Sequence, residues 1–186
     1  MNHVVSALAV SGSDLYVGGY FTAAGGVSAK NIAKWDGSSW STLGSGIDGS
    51  VRALAVSASE LYAGGEFTKA GGVSANYVAK WNGSSWSALG SAMNGTVFGL
   101  AVSGTDLYAG GDFTIAGNSG AKRIAKWNSV TWSAFGEAEE QIDGYVFALA
   151  VLGKEIHMGG RFTSAGGVSA NNIARWDGSN WHALGT

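Results

Sequence analysis

An all-β chain of four consecutive, four-stranded antiparallel units is what this sequence predicts, and three observations predict it. A phrase recurs: "GGYFTAAGGVSAKNIAKWDGSSW" from Gly18 to Trp40 returns as "GGEFTKAGGVSANYVAKWNGSSW" from Gly64 to Trp86, and more altered from Gly110 to Trp132 and Gly159 to Trp181. The period is regular: Leu8, Leu54, Leu100 and Leu149 stand 46, 46 and 49 residues apart, and both tryptophans of the phrase keep the same spacing. Apolar residues come in runs of strand length with turn residues between them, and nothing has helical spacing over a useful length. Such a chain is read unit by unit.

The second unit shows the elements. "VRALAVS" (Val51 to Ser57) is a short apolar run suited to a strand buried on both faces. "SASE" makes a turn, and "LYAGGEF" (Leu61 to Phe67) is a second strand, its glycine pair marking the close approach of another backbone or a large ring. "TKAGGVSAN" reads as a longer loop and "YVAKW" (Tyr77 to Trp81) as a third strand. "NGSS", with its counterpart "DGSS", is an Asx-Gly hairpin turn, and "WSALG" is the fourth strand. Four short antiparallel strands in about 45 residues, repeated, are the pattern of a β-propeller blade. The expected blades are approximately 1–47, 48–93, 94–142 and 143–186, in one propeller unit without linkers; the last spacing is lengthened by an insertion in "GEAEEQIDGY" (Gly136 to Tyr145).

Composition narrows the function. The 186 residues are 46% hydrophobic and 13% charged, as in a packed globular chain. A net charge of −2 offers no attraction to nucleic acid or an anionic membrane, and no apolar run is long enough for a transmembrane helix. The start, "MNHVVSALAV", lacks the basic region and cleavage site of a signal peptide. Cysteine is absent, which removes disulfides and thiolate chemistry; proline is absent too, so the turns rely on 31 glycines and Asx-Gly pairs.

The order of a small-apolar strand, "LYxGG", an aromatic-Asp/Asn-Gly step and a second Trp resembles a kelch-type blade. The fuller phrase also resembles the repeats of secreted or cell-surface bacterial propellers and of the ectodomain of a fungal cortical polarity marker. The resemblance spans all four units and implies the first strand of each blade innermost, with an extracellular location. In the fourth unit "EIHMGG" departs from it, placing His157 where the others have Tyr. The cysteine required by the cofactor of kelch-type copper oxidases is missing, and no cofactor is expected.

The repeated phrase reads as a packing module. Ala and Val suit a crowded inner strand, while Phe21, Trp35, Trp40 and their counterparts fill the wider gaps between blades, with the glycine pair leaving room for a ring. Each such ring removes roughly 150–250 Å² from water, several kcal/mol per tryptophan pair before entropy. Open ends of such an array are costly. Met1-Asn2 aligns with Met93-Asn94, so the chain is cut at a blade boundary with matching ends. The favoured closure is a head-to-tail homodimer, each chain half of an eight-bladed ring. The alternatives are a self-closed four-bladed monomer and an engineered or excised fragment in some other oligomer.

Candidate chemistry is sparse. "GSGIDG" (Gly44 to Gly49) matches G-x-G-x-x-G, but a strand follows it where a dinucleotide site needs a helix. His3, His157 and His182 occupy unrelated positions, with His157 read as a partly buried packing residue; no metal site is expected. Asp36, Asn82, Asn128 and Asp177 read as turn caps, and the sequons at Asn82 and Asn94 as hairpin residues. Glu137, Glu139 and Glu140 read as a solvated acidic tip, not a pair of glycosidase carboxylates.

A site would lie on the loops around the mouth of the central channel. Comparing units isolates positions that vary while the scaffold does not: Tyr20, Glu66, Asp112 and Arg161 after the glycine pair; Lys69 in the next loop; Tyr77 and Arg123 farther on; Arg52, Phe98 and Phe147 at the start of the first strand. These ten are the expected ligand-facing residues, with no catalytic residue among them. The expected function is a non-enzymatic scaffold or binding module for a protein or a glycan. A lectin-like extracellular propeller is the alternative, and an enzyme, needing a convergent acid, base or metal set, is the least supported.

Overall fold

Every regular element is a strand in the computed structural model of the chain, which describes residues 1–91, 93–135 and 142–185. The chain divides into two compact units, Met1–Ala92 and Met93–Thr186.

In the first unit, β1 (Val4–Ser11), β2 (Asp14–Tyr20), β3 (Ala23–Ala24), β4 (Val27–Ser28), β5 (Ile32–Trp35) and β6 (Trp40–Thr42) make up one blade. A second follows: β7 (Ser50–Ser57), β8 (Glu60–Glu66), β9 (Lys69–Ala70), β10 (Val73–Ser74), β11 (Val78–Trp81) and β12 (Trp86–Ala88). The second unit holds β13 (Val97–Ser103), β14 (Asp106–Gly111), β15 (Ile115–Ala116), β16 (Ser119–Gly120), β17 (Ile124–Trp127) and β18 (Trp132–Ala134). Its other blade is β19 (Tyr145–Leu152), β20 (Glu155–Arg161), β21 (Ser164–Ala165), β22 (Val168–Ser169), β23 (Ile173–Trp176) and β24 (Trp181–Ala183). The four antiparallel sheets are ordered β1-β2-β5-β6, β7-β8-β11-β12, β13-β14-β17-β18 and β19-β20-β23-β24, so each blade supplies its own outer strand.

The structure refines the sequence reading in three places. The stretch read as a long loop carries a short hairpin, β3–β4 in the first blade and its repeats. Tyr77 does not open the third strand: it stands just before β11 at φ 67°, in the left-handed region, as do Asn31 at 63°, Arg123 at 74° and Asn172 at 65°. There the backbone reverses to hydrogen-bond on both sides, Tyr77 N–H donating to Phe67 O and Gly65 N–H to Tyr77 O.

The third correction concerns the glycine pair, which makes no room for a tryptophan; one ring, that of Phe113, comes close to it, 2.9 Å from a Cβ on Gly111. A Cβ on Gly18 would come 2.4 Å from Val51 Cγ1 of the next blade, and one on Gly110 would come 2.5 Å from Val146 Cγ1. A Cβ on the second glycine, Gly19, would meet the Val4 carbonyl oxygen of its own first strand at 2.1 Å. That strand bulges between Val5 and Ala7, and every first strand repeats the irregularity. A bulge re-aims the extra residue and crowds the partner strand. The ring room lies in the hairpin loop: a Cβ on Gly25, Gly71 or Gly166 would collide with Trp40, Trp86 or Trp181.

Blades pack through apolar faces. In the first unit Ile32 and Leu43 of one blade join Ile47, Val51 and Trp86 of the next in one core. Trp86 Nε1–H donates to Leu43 O at 2.9 Å. In the second unit Ile124 and Phe135 share a core with Ile142, Val146 and Trp181, whose Nε1 has no hydrogen-bond partner among the described residues. The paired tryptophans contact each other across β5–β6 and its repeats, with centroids 5.3 to 5.4 Å apart. The turn caps read from the sequence are present: Asp36 Oδ1 accepts from the N–H of Ser38 and Ser39, and Asn82, Asn128 and Asp177 do the same. Glu137, Glu139 and Glu140 lie outside the described residues.

Candidate functional site

An Asx side chain clasps each hairpin loop at the same register. Asp48 Oδ1 accepts from the backbone N–H of Thr68 and Lys69 at 2.8 Å, and its Oδ2 accepts from the Thr68 hydroxyl at 2.7 Å. Asp143 repeats this on Thr163 and Ser164. Asn2 and Asn94 keep the backbone acceptor but reverse the side-chain bond, donating to Thr22 and Thr114. Burial pushes the Asp48 and Asp143 carboxyls up, but their hydrogen bonds outweigh it and hold both below the ordinary carboxylate value. The clasp was not singled out from sequence, although Asn or Asp recurs at this point in every unit.

A second repeated contact joins β2 to β5 and its counterparts. Lys34 pairs with Asp14 at 3.0 Å, Lys80 with Glu60 at 2.6 Å, Lys126 with Asp106 at 3.2 Å, and Arg175 with Glu155. The hydrogen bond to Asp14 raises the Lys34 pKa. Glu60 also accepts from the Tyr62 hydroxyl at 2.7 Å. His157 occupies that tyrosine's position, half-buried, with Nε2 3.2 Å from Glu155. These carboxylates are structural partners spread one per blade.

The ten residues expected to face a ligand fall into two groups. In the first unit, Tyr20 ends β2 exposed and packs edge-on against His3 at 5.2 Å, beside a cleft of about 270 Å³ lined by Asn2, Thr22, Lys30 and Asn31. Arg52, at the bulge of β7, pairs with Glu66 at 3.1 Å, both exposed. Lys69 is exposed at the start of β9, and Tyr77 is half-buried at its left-handed turn.

The second unit brings its members closer together. Phe98 and Phe147, at the bulges of β13 and β19, meet edge to face at 5.5 Å. Tyr145 stacks on Phe147 at 6.3 Å, and Arg123 Cζ lies 5.0 Å from the Tyr145 ring centroid. The Arg123 guanidinium also donates to the Asp112 carbonyl. Asp112 Oδ1 is buried without a hydrogen-bond partner among the described residues. Arg161 ends β20 exposed, by a cleft of about 350 Å³ formed with Asp143, Phe162, Thr163 and Asn172. Tyr145 was absent from the sequence-derived set; the unit comparison that found Phe147 would have found it, since its counterparts are Val4, Ser50 and Thr96.

The cluster offers apolar ring faces and one cation, with Tyr145 42% and Phe147 48% exposed. Among the described residues no group of three His, Asp or Glu could hold a metal ion, and no helix is long and apolar enough to cross a membrane.

The Rax2 C-terminal β-propeller domain model matches residues 53–186. The chain belongs to this family. Of the resemblances read from sequence, the match supports the one to the fungal polarity marker. Among solved structures, the computationally designed Ika4 protein aligns with a TM-score of 0.54 at 18% identity over 93% of this chain and 90% of its own. The designed Ika8 protein aligns with the same TM-score and identity, over 92% of this chain and 45% of its own. YCF48 bound to D1 peptide aligns at 0.54 and 17% identity, over 97% of this chain and 52% of its own. The Rax2-type chain thus spans about half the length of the last two, and at these identities the likeness is one of fold. No curated protein matches it significantly.

Proposed function

We propose that this Rax2-type propeller is a non-enzymatic binding scaffold that presents its ligand site at the bulges of the first strands. The observation that carries this reading is the cluster in the second unit of exposed Phe147 and Tyr145 with half-buried Phe98 and Arg123. A bulge aims a variable side chain from an invariant frame, and exposed rings beside a guanidinium suit a ligand with flat apolar faces and acceptor oxygens. A protein segment or a surface glycan has both. The stacked Tyr145–Phe147 pair favours the glycan reading, because sugar CH faces pack on such rings. The acids that pair between the second and third strands, Asp14, Glu60, Asp106 and Glu155, fall one to a blade, which speaks against a convergent catalytic set.

Glycan and peptide arrays probed with the purified chain, then with Phe147→Ala and Arg123→Ala, test it. A hit weakened at least tenfold by both substitutions supports the site; a hit that neither changes removes it. The same reading makes each chain half of an eight-bladed ring, closed head to tail by a second copy, with blades bounded near residues 47, 93 and 142.

A further inference from the structure

Blade-to-blade joints are built once within each unit, and their parts can be counted off. Val51 is fully buried over Gly18, and Ile47 is fully buried. Asn31, itself 5% exposed, donates from Nδ2 to Ile47 O at 2.9 Å. In the second unit Val146 is fully buried over Gly110, and Ile124 is 1% exposed.

On the first and the last blade the same parts stand uncovered. On the first blade Val5, counterpart of Val51 and Val146, is 42% exposed; Met1, counterpart of Ile47, is 40% exposed; and Leu8 is 62% exposed. On the last blade Ile173, counterpart of Ile32 and Ile124, is 44% exposed. A Cβ on Gly159 would find only Asn172 O, at 3.9 Å, where those on Gly18 and Gly110 run into a valine. Asn172, counterpart of the buried Asn31, is exposed. One flank has the valine and the carbonyl, and the other has the niche and the amide.

We infer that these two flanks form the joint between copies: Val5 of a second copy seats in the niche at Gly159, Asn172 Nδ2 donates to its Met1 carbonyl, and its Trp40 indole N–H reaches the Leu184 carbonyl as Trp86 reaches Leu43. This rests on the half-ring reading and supplies its partner surface. The occupant is another copy of this chain because the internal joints already show which residues cover such a flank. A heterologous partner would have to reproduce the bulged first strand, its valine and its leucine. Mutual burial of these apolar groups supplies the driving force, and the paired amide and carbonyl set the register.

Light scattering on the full chain is expected to give twice 18.9 kDa. Val5→Glu and Ile173→Glu alter side chains exposed in the single chain, so each folds with an unchanged circular dichroism spectrum and is expected to raise the dimer Kd at least 100-fold. An equimolar mixture of the two variants regains dimer, because one of its two joints then pairs two unaltered flanks. A wild-type dimer that survives both substitutions, or variants that do not rescue each other, overturns this joint and leaves the dimer to another surface. A wild-type particle of 18.9 kDa overturns the half-ring reading as well. Array binding to the aromatic cluster is read separately and depends on neither outcome.

Discussion

Val51 covers Gly18 so closely that a single added methyl on the glycine would lie 2.4 Å from its Cγ1. Gly18 is therefore a socket for the next blade, as Gly110 is for Val146. Gly18→Ala is expected to destabilise the chain by about 1–3 kcal/mol through overpacking. Gly159→Ala, with no atom nearer than 3.9 Å, is expected to stay within about 0.5 kcal/mol in the monomer. Urea denaturation of both variants, diluted below any association, compares them.

The turn between β7 and β8 carries a correctable strain. Ala58 sits at φ 51° where the other blades have Gly12, Gly104 and Gly153 at 58° to 63°. A Cβ in this region costs about 1 kcal/mol or more. Ala58→Gly is expected to stabilise the fold by about 0.5–1 kcal/mol, after glycine's greater freedom in the unfolded chain is subtracted. A rise in the urea midpoint at constant slope is the measurement.

Asn31 satisfies two backbone groups at one joint. Its Oδ1 accepts from Phe21 N–H at 3.1 Å, and its Nδ2 donates to Ile47 O. Asn31→Ala strips both partners in a buried place and puts alanine at a left-handed φ. The expected loss is on the order of 2–4 kcal/mol. A melting temperature within 2 °C of wild type, by about the usual scaling, would contradict it.

Acid sensitivity is written into two of the four clasps. The Asp48 and Asp143 carboxyls sit below their ordinary value in the folded chain. Their contribution is therefore complete above the unfolded value of about 4 and is lost as pH falls through the lower folded value. The double variant Asp48→Asn, Asp143→Asn copies the clasps of Asn2 and Asn94 and is expected to flatten the fall of melting temperature below about pH 4. A residual slope remains from Asp36 and from Asp177, the latter lowered to about 2 by His182 and the turn N–H groups. An unchanged pH profile refutes the role.

Four blades, their strand order and their turn caps were legible in the sequence because each rests on local chemistry. Apolar runs of strand length, Asx-Gly turns and a spacing of 46 residues need no neighbour to be read. The variable positions were legible as well, from comparing units. Their meaning was not. Phe98 and Phe147 are bulge residues that touch, and Arg123 turns at a left-handed φ toward Tyr145, none of which follows from the spacing. Arg52 and Glu66 instead neutralise each other.

The glycine pair marks the boundary between the two kinds of knowledge. Sequence alone determined that something must come close there, because glycine inside a strand sacrifices packing and is retained where a side chain will not fit. Tertiary structure decided what comes close: the next blade's valine over the first glycine, and the bulged strand's carbonyl against the second. The reason is one of range. Strand and turn preferences act over a few residues, whereas the partner of Gly18 is 33 positions along the chain and is met only when one sheet packs on another.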